Sequence, residues 1–203
     1  MQDGVLYIPS FYSEHEKWSF PGFETIFGRS APVFVEYCSG HGDWVIQKAL
    51  AQPDACWIAV EKRFDRVRRI WAKMHNFNVP NLLIVCGEAQ VFSRFYLPAQ
   101  SVDGFFINFP DPWPKNKHAK HRLVQQPFLD DLIRAGKSGA EVAIATDDLP
   151  YAQQAVEVFQ TPWQSRLPAP HYTTGVESYG SSWFERLWKE LGRTIYYLQF
   201  VKS

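Results

Sequence analysis

Val33-Phe34-Val35-Glu36-Tyr37-Cys38-Ser39-Gly40-His41-Gly42 reads as an apolar strand that runs directly into a glycine turn. β-branched and aromatic residues suit a strand buried on both faces. Gly40 and Gly42 let the backbone turn tightly and approach a ligand at the N-terminus of a following helix. Outward from this stretch, short apolar runs recur at 56–61, 82–86, 104–109 and 142–146, with longer segments of helical period between them. That alternation predicts an α/β fold, a doubly wound, Rossmann-like and mostly parallel sheet. Phe64, Val67, Trp71 and Met74 recur at spacings of three and four, one apolar helix face, with Arg63, Arg66, Arg69 and Lys73 on the others. Residues 120–136 and 148–160 also read as helices, the second opening at Asp147-Asp148 as cap and first turn. The run 194–201, TIYYLQFV, predicts a late strand antiparallel to its neighbours. Residues 1–32 carry Pro9, Pro21 and Pro32 without a clear period and read as an N-terminal arm. Residues 33–203 then form one domain.

Composition narrows the function. A chain of 203 residues with 46% hydrophobic residues buries a core without disulfides or metals. Twenty-one basic residues balance 21 acidic ones, so no field of one sign draws in a polyanion, and nucleic-acid contact must come from a local patch. The three cysteines, Cys38, Cys56 and Cys86, form no CxxC pair. That excludes a zinc ribbon, leaves no metal site expected, and suits reduced thiols in the cytoplasm. No apolar run approaches the roughly 20 residues needed to span a bilayer, and the first residues do not resemble a signal peptide.

Three clusters carry chemistry. Glu61 ends the second apolar run 21 residues after Gly40, the spacing of a ribose-hydroxyl acceptor in nucleoside-binding doubly wound folds. The full phosphate-binding pattern Gly-x-Gly-x-x-Gly is absent, and Glu36 lies just before the turn. A carboxylate there repels a pyrophosphate and welcomes a cationic or amine-bearing ligand. The second cluster is Asn108-Phe109-Pro110-Asp111-Pro112-Trp113-Pro114-Lys115, at a strand end where open α/β sheets bind ligands. Its prolines fix the backbone and aim Asp111 and Trp113. The third is Lys115-Asn116-Lys117-His118-Ala119-Lys120-His121-Arg122, whose four formal positive charges suit phosphates. The basic helix 62–73 reads more simply as solvated helix faces.

Glu36 to Gly42, Glu61, the segment NFPDPWPKNKHAKHRLV and Thr146-Asp147 together resemble the bacterial tRNA (guanine-N7)-methyltransferases, enzymes of the class I, S-adenosylmethionine-dependent fold. The similarity covers roughly residues 33–200. It implies methyl transfer from S-adenosylmethionine to N7 of guanosine 46 in the tRNA variable loop. It implies cofactor contacts at Glu36, Glu61, Glu88 and Asp111, beside Gly40 and Gly42 of the turn, with Asp111 also the catalytic position. It implies tRNA contacts at Lys115, Asp147, Ser182, Trp183, Phe184 and Glu185. The chain departs from the family pattern at Cys38, where the family has its first turn glycine, at Glu88, where it has Asp, and at Ser182, where it has Thr. The expected assembly is a cytoplasmic monomer or homodimer with tRNA as partner and no membrane. Two rivals stand beside this reading. One is a nicotinamide-dependent oxidoreductase, which Glu36 opposes; the other is a cofactor-free RNA-binding module on the same fold.

Overall fold

The computed structural model describes residues 3–8, 15–17, 20–176 and 179–203. Its strands are β1 (Val5–Tyr7), β2 (Val33–Tyr37), β3 (Cys56–Glu61), β4 (Leu82–Cys86), β5 (Val102–Asn108), β6 (Gly136–Thr146), β7 (Trp163–Ser165) and β8 (Tyr196–Lys202), and the short helix α1 (Phe23–Phe27) precedes β2. They form a single sheet in the order β1-β4-β3-β2-β5-β6-β8-β7, parallel except for β8, which runs antiparallel to both its neighbours. The doubly wound sheet with a late antiparallel strand is therefore the observed architecture.

Period-two alternation explains the two layers. Val35, Tyr37, Ile58, Phe105 and Ile107 face one core, filled by Phe92 of α4 (Ala89–Phe95), Phe128 and Leu132 of α5 (Gln126–Ala135) and Tyr151 of α6 (Leu149–Val158). Phe34, Trp57 and Phe106 face the other, under Trp44 of α2 (Asp43–Ala51) and Ile70 of α3 (Phe64–Asn76). Rings interlock there: Phe34 stacks on Trp57 at 4.9 Å and Trp44 lies 4.7 Å from Phe106. The chain winds from β2 out to β3 and β4, then returns to β5 on the other side of β2. At that reversal Tyr37 pairs with Ile107, so the ends of β2 and β5 open side by side into a crevice.

Three local expectations change. On α3 the buried residues are Val67, Ile70 and Met74, whereas Phe64 is 64% exposed and Trp71 37%. The apolar face is thus narrower than the sequence period suggests, and two rings stand in solvent. The helix expected from 120 begins at Gln126, because Pro127 occupies its first turn and 116–121 form a short 3-10 helix. In the segment 1–32, β1 adds to β4 at the sheet edge, Leu6 and Ile8 are buried, and Arg29 donates to the carbonyls of Pro53 and Ala55. Pro9 and the rest of 1, 2, 9–14, 18 and 19 lie outside the described residues.

One buried amide fastens the layers. The Asn81 side-chain nitrogen donates to Ala49 O, Gln52 O and Ala55 O at 3.0–3.1 Å, satisfying carbonyls around the end of α2. Asn81→Ala takes this donor from Ala49 O, while Gln52 O keeps Ala55 N and Ala55 O keeps Arg29, and lowers the unfolding free energy by about 1–3 kcal/mol. Urea denaturation checks it; an unchanged midpoint would show that the amide adds nothing to stability.

Candidate active site

The turn after β2 needs its glycines. Gly40 and Gly42 hold φ of 56° and 78°, and a Cβ at Gly40 would lie 2.7 Å from Phe184 Cε2, one at Gly42 2.9 Å from Ile70 Cγ1. Cys38 shares the left-handed region at φ 60°, so a thiol-bearing residue occupies backbone that favours glycine. The residue is half-buried at the cleft wall, and desolvation pushes its thiol pKa well above the usual range, so it lines the crevice as a neutral group. Glu61 braces this turn. Its two oxygens accept from Gly40 N and Arg63 N, both at 2.9 Å, and Arg66 lies 3.6 Å away. A carboxylate has about four acceptor sites, so Glu61 keeps capacity toward the cleft it lines.

Glu36 is buried at the end of β2. One oxygen accepts from Asn108 Nδ2 at 2.7 Å, and Asn108 Oδ1 accepts from the Tyr179 hydroxyl at 2.6 Å. The other oxygen, Oε2, has no hydrogen-bond partner among the described residues. Burial pushes the Glu36 carboxyl up to about 8, against the opposing pull of the Asn108 bond. Trp44 Nε1 donates to Tyr179 O at 2.8 Å and holds that segment down. Asn108 closes β5 with a recognisable signal, a polar amide at a strand end, yet its link to Glu36 is invisible in sequence. Tyr179 has no local signal at all.

The cleft beside this turn is bounded by Glu61, Lys62, Arg66, Glu88, Asp111 and Trp113, with Phe184 as a further wall. Glu88 precedes α4 in extended backbone, and its side chain makes no capping bond to the helix. Lys62, which sequence reasoning missed, lies 3.4 Å from Asp111. Burial pulls its pKa down, but Glu88 and Asp111 outweigh that and the net shift is upward. Asp111 is exposed at the rim of this loop. Phe109 and Trp113 flank it at φ 51° and 43°, left-handed backbone that costs bulky residues about 1–3 kcal/mol each. Trp113 packs near His121 and His118, with ring centroids at 5.2 and 5.8 Å.

The basic cluster divides. Lys115, Lys117 and Lys120 are exposed, but Lys115 does not line the cleft. Arg122 is a correction to the phosphate reading: it is buried, donates to Pro112 O at 2.7 Å and Gln154 Oε1 at 2.5 Å, and lies over the Tyr151 ring. It holds the proline loop in place. Asp147 pairs with Arg193, whose guanidinium sits over Trp188 at 4.2 Å, and Asp148, not Asp147, caps α6. Ser182 caps α7 (Trp183–Glu190), its hydroxyl accepting from Glu185 N at 3.0 Å. The buried Glu185 carboxylate accepts from Lys189 Nζ at 2.5 Å and the Tyr197 hydroxyl at 2.9 Å. Of the four residues 182–185, Phe184 lines the cleft and Trp183 is exposed beside it, while Ser182 and Glu185 anchor the helix.

The cleft is rich in acids. Glu61, Glu88 and Asp111, with the Glu36 carboxyl that burial keeps protonated at neutral pH, surround a turn without a phosphate cradle, and no metal-binding cluster exists among the described residues. Glu36 binds its proton more tightly folded than unfolded. It therefore contributes stability that is full below its ordinary pKa of 4.5 and lost as pH rises to about 8. Glu36→Gln should abolish that part of the stability loss between these limits, read by thermal unfolding across pH. A wild-type slope in the variant would assign the loss to another group.

Comparison with known proteins bears on these residues. Residues 30–198 match the family model Methyltransf_4, described as "Putative methyltransferase". The chain is similar to the tRNA (guanine-N(7)-)-methyltransferase of Chlamydia abortus, 49% identical over 203 residues, covering 100% of this chain and 91% of that protein. It is 32% identical to the protein of that name from Nitrosomonas eutropha, covering 89% of this chain and 80% of the other. Among solved structures the fold is similar to the 16S rRNA methyltransferase KamB, with TM-score 0.66 at 16% identity, covering 89% and 92% of the two chains. With Cys38 of the glycine turn, Glu61 at the end of β3, and Asp111 and Trp113 of the DPWPK segment lining one cleft, the chain belongs to the tRNA (guanine-N7)-methyltransferase family.

Proposed function

We propose that this chain transfers the methyl group of S-adenosylmethionine to N7 of guanosine 46 in tRNA. The observation that carries the reading is the cleft itself. Glu61, Glu88 and Asp111 line it, and Trp113, Lys62 and Arg66 stand at its walls. The residues fit the cofactor. Glu36 Oε2 is a buried oxygen without a hydrogen-bond partner among the described residues, and Gly40 and Gly42 let the turn close tightly against Phe184 and Ile70. The carboxylates suit a ligand with positive centres. Glu36, Glu61, Glu88 and Asp111 would hold S-adenosylmethionine, which supplies an electrophilic methyl on a positively charged sulfur. A nicotinamide dinucleotide is disfavoured because the turn lacks the third glycine of the phosphate-binding pattern and the cleft is lined by Glu61, Glu88 and Asp111.

The protein's own part is positioning and charge. Guanine N7 carries an in-plane lone pair and no proton, so no general base is required. Positive charge develops on the guanine ring, and the Asp111 carboxylate at the rim stabilises it. Trp113 and His121 offer flat faces against which an unstacked base is held. Exposed Lys115, Lys117 and Lys120 supply cations to the RNA backbone next to that rim. Ser182 and Glu185 act by fixing α7, which carries Trp183 and Phe184 to the cleft. Among the described residues no helix is long and apolar enough to cross a membrane, and the reading places the chain in the cytoplasm with its tRNA, as a monomer or homodimer.

The test is methyl transfer from labelled S-adenosylmethionine to an unmodified tRNA transcript, followed by nucleoside identification. The expected product is 7-methylguanosine, lost when guanosine 46 is replaced. Asp111→Asn should keep the fold and lower transfer at least tenfold, about 1.4 kcal/mol on the barrier. Wild-type turnover in the folded variant would remove Asp111 from the mechanism.

A further inference from the structure

Three cations of α3 stand in a row beside the glycine turn. Arg66 lies over the Phe184 ring at 5.0 Å, Arg69 meets His41 Nε2 at 3.3 Å, and Lys73 donates to His41 O at 2.9 Å. Spacings of three and four place them along one side of the helix. Against them rests an aromatic step. The His41 ring is 4.7 Å from Trp183, which is 5.0 Å from Phe184, and Trp183 remains 39% exposed. Arg66 and Phe184 line the cleft, so the row begins at its wall and runs outward.

The charges do not cancel. Glu61 answers Arg66, while Asp43 serves both Lys73 at 3.0 Å and Arg186 at 3.3 Å. Among the described residues no carboxylate pairs with Arg69, which is exposed. The excess is positive. Burial and then the charges of Arg69 and Arg66 lower the His41 pKa, outweighing Asp43, so the ring is held as a neutral flat surface. A solvated helix face has no need of a packed, half-open indole–imidazole pair bracketed by arginines. Cations alternating with exposed rings are what single-stranded RNA requires: phosphate neutralisation plus a π face for a base.

We propose that the Arg66–Arg69–Lys73 row, with the rings of His41 and Trp183, is a second RNA-binding lip of the cleft. It takes the ribose-phosphate backbone and one unstacked base of the substrate, apart from the contacts made by segment 115–121. This rests on the methyl-transfer reading above and adds His41 and Arg69 to the residues that reach RNA. Two lips that grip the strand beside a target guanosine would hold it out of its stack, which a single basic patch does not do.

The experiment titrates the full chain with unmodified tRNA across a salt series, alongside S-adenosylmethionine binding by calorimetry. Arg69→Ala should weaken tRNA binding several-fold at low salt and flatten the log–log salt slope by about 0.7–0.9, one phosphate contact. His41→Ala should weaken tRNA binding about fivefold, the lower end of a lost base stack, and His41→Phe should restore it. Cofactor affinity should stay within twofold of wild type in all three, which also reports the fold. Unchanged tRNA affinity and salt slope in Arg69→Ala, with wild-type methyl transfer intact, overturns the second lip alone and leaves the face to solvent or to a protein partner. Failure of the wild-type chain to methylate tRNA overturns the function proposed above instead, so the two failures are distinguishable.

Discussion

The Asn108 amide, shared between the Glu36 carboxyl and the Tyr179 hydroxyl, is the link on which the site depends. It crosses the boundary where the sheet reverses direction, joining β2 to β5 at their carboxyl ends. Through Tyr179 it also pins the chain that leads into α7, and Trp44 Nε1 adds a second tie to the same segment. A buried polar chain of this kind is costly unless every member is satisfied. Here one carboxyl oxygen is left over, and that residual acceptor faces the crevice region in which the glycine turn lies.

The positive-φ residues belong to the same logic. Cys38, Phe109 and Trp113 hold left-handed backbone at the two strand ends that border the cleft. Strain at such positions persists only where surroundings over-determine it. Arg122 supplies part of that restraint from below, gripping Pro112 O while its guanidinium lies on Tyr151. The loop bearing Asp111 is therefore held from both sides: three prolines limit its own backbone, and a buried cation fixes its middle.

Much of this was legible in the residues. Runs such as Cys56–Glu61 and Leu82–Cys86 are apolar on both faces because parallel strands are covered on both faces, so their pattern announces the sheet. The interval from Gly40 to Glu61 likewise reflects one crossover, and the structure closes it with a hydrogen bond. Burial of individual polar groups was not legible. Arg122 ends a run of exposed cations and looks like one of them, yet only Gln154 and Pro112, far along the chain or across a turn, decide that it is internal. Phe64 and Trp71 fit the helical period but miss the core, because the width of the buried stripe is set by what packs against it. Lys62 escaped notice for a related reason: its value lies in two acids, Glu88 and Asp111, that only the fold brings to it.

The edge strand β1 has a consequence for the order in which the chain takes shape. Val5 pairs with Ile84, and Gly4 O accepts from the Ile84 amide, so this segment is docked only on a strand made much later. At ribosomal rates of roughly 5–20 residues per second, about 80 residues of synthesis leave it waiting some 4–16 s for its partner. Until then Leu6 and Ile8, which end up buried, have nowhere to go. Once β4 is in place, β1 becomes the edge of the sheet, a three-residue strand that offers a shorter template for pairing between molecules than the five residues of β4. Seating of β1 thus waits on β4 and leaves a three-residue edge where the five-residue β4 would otherwise stand.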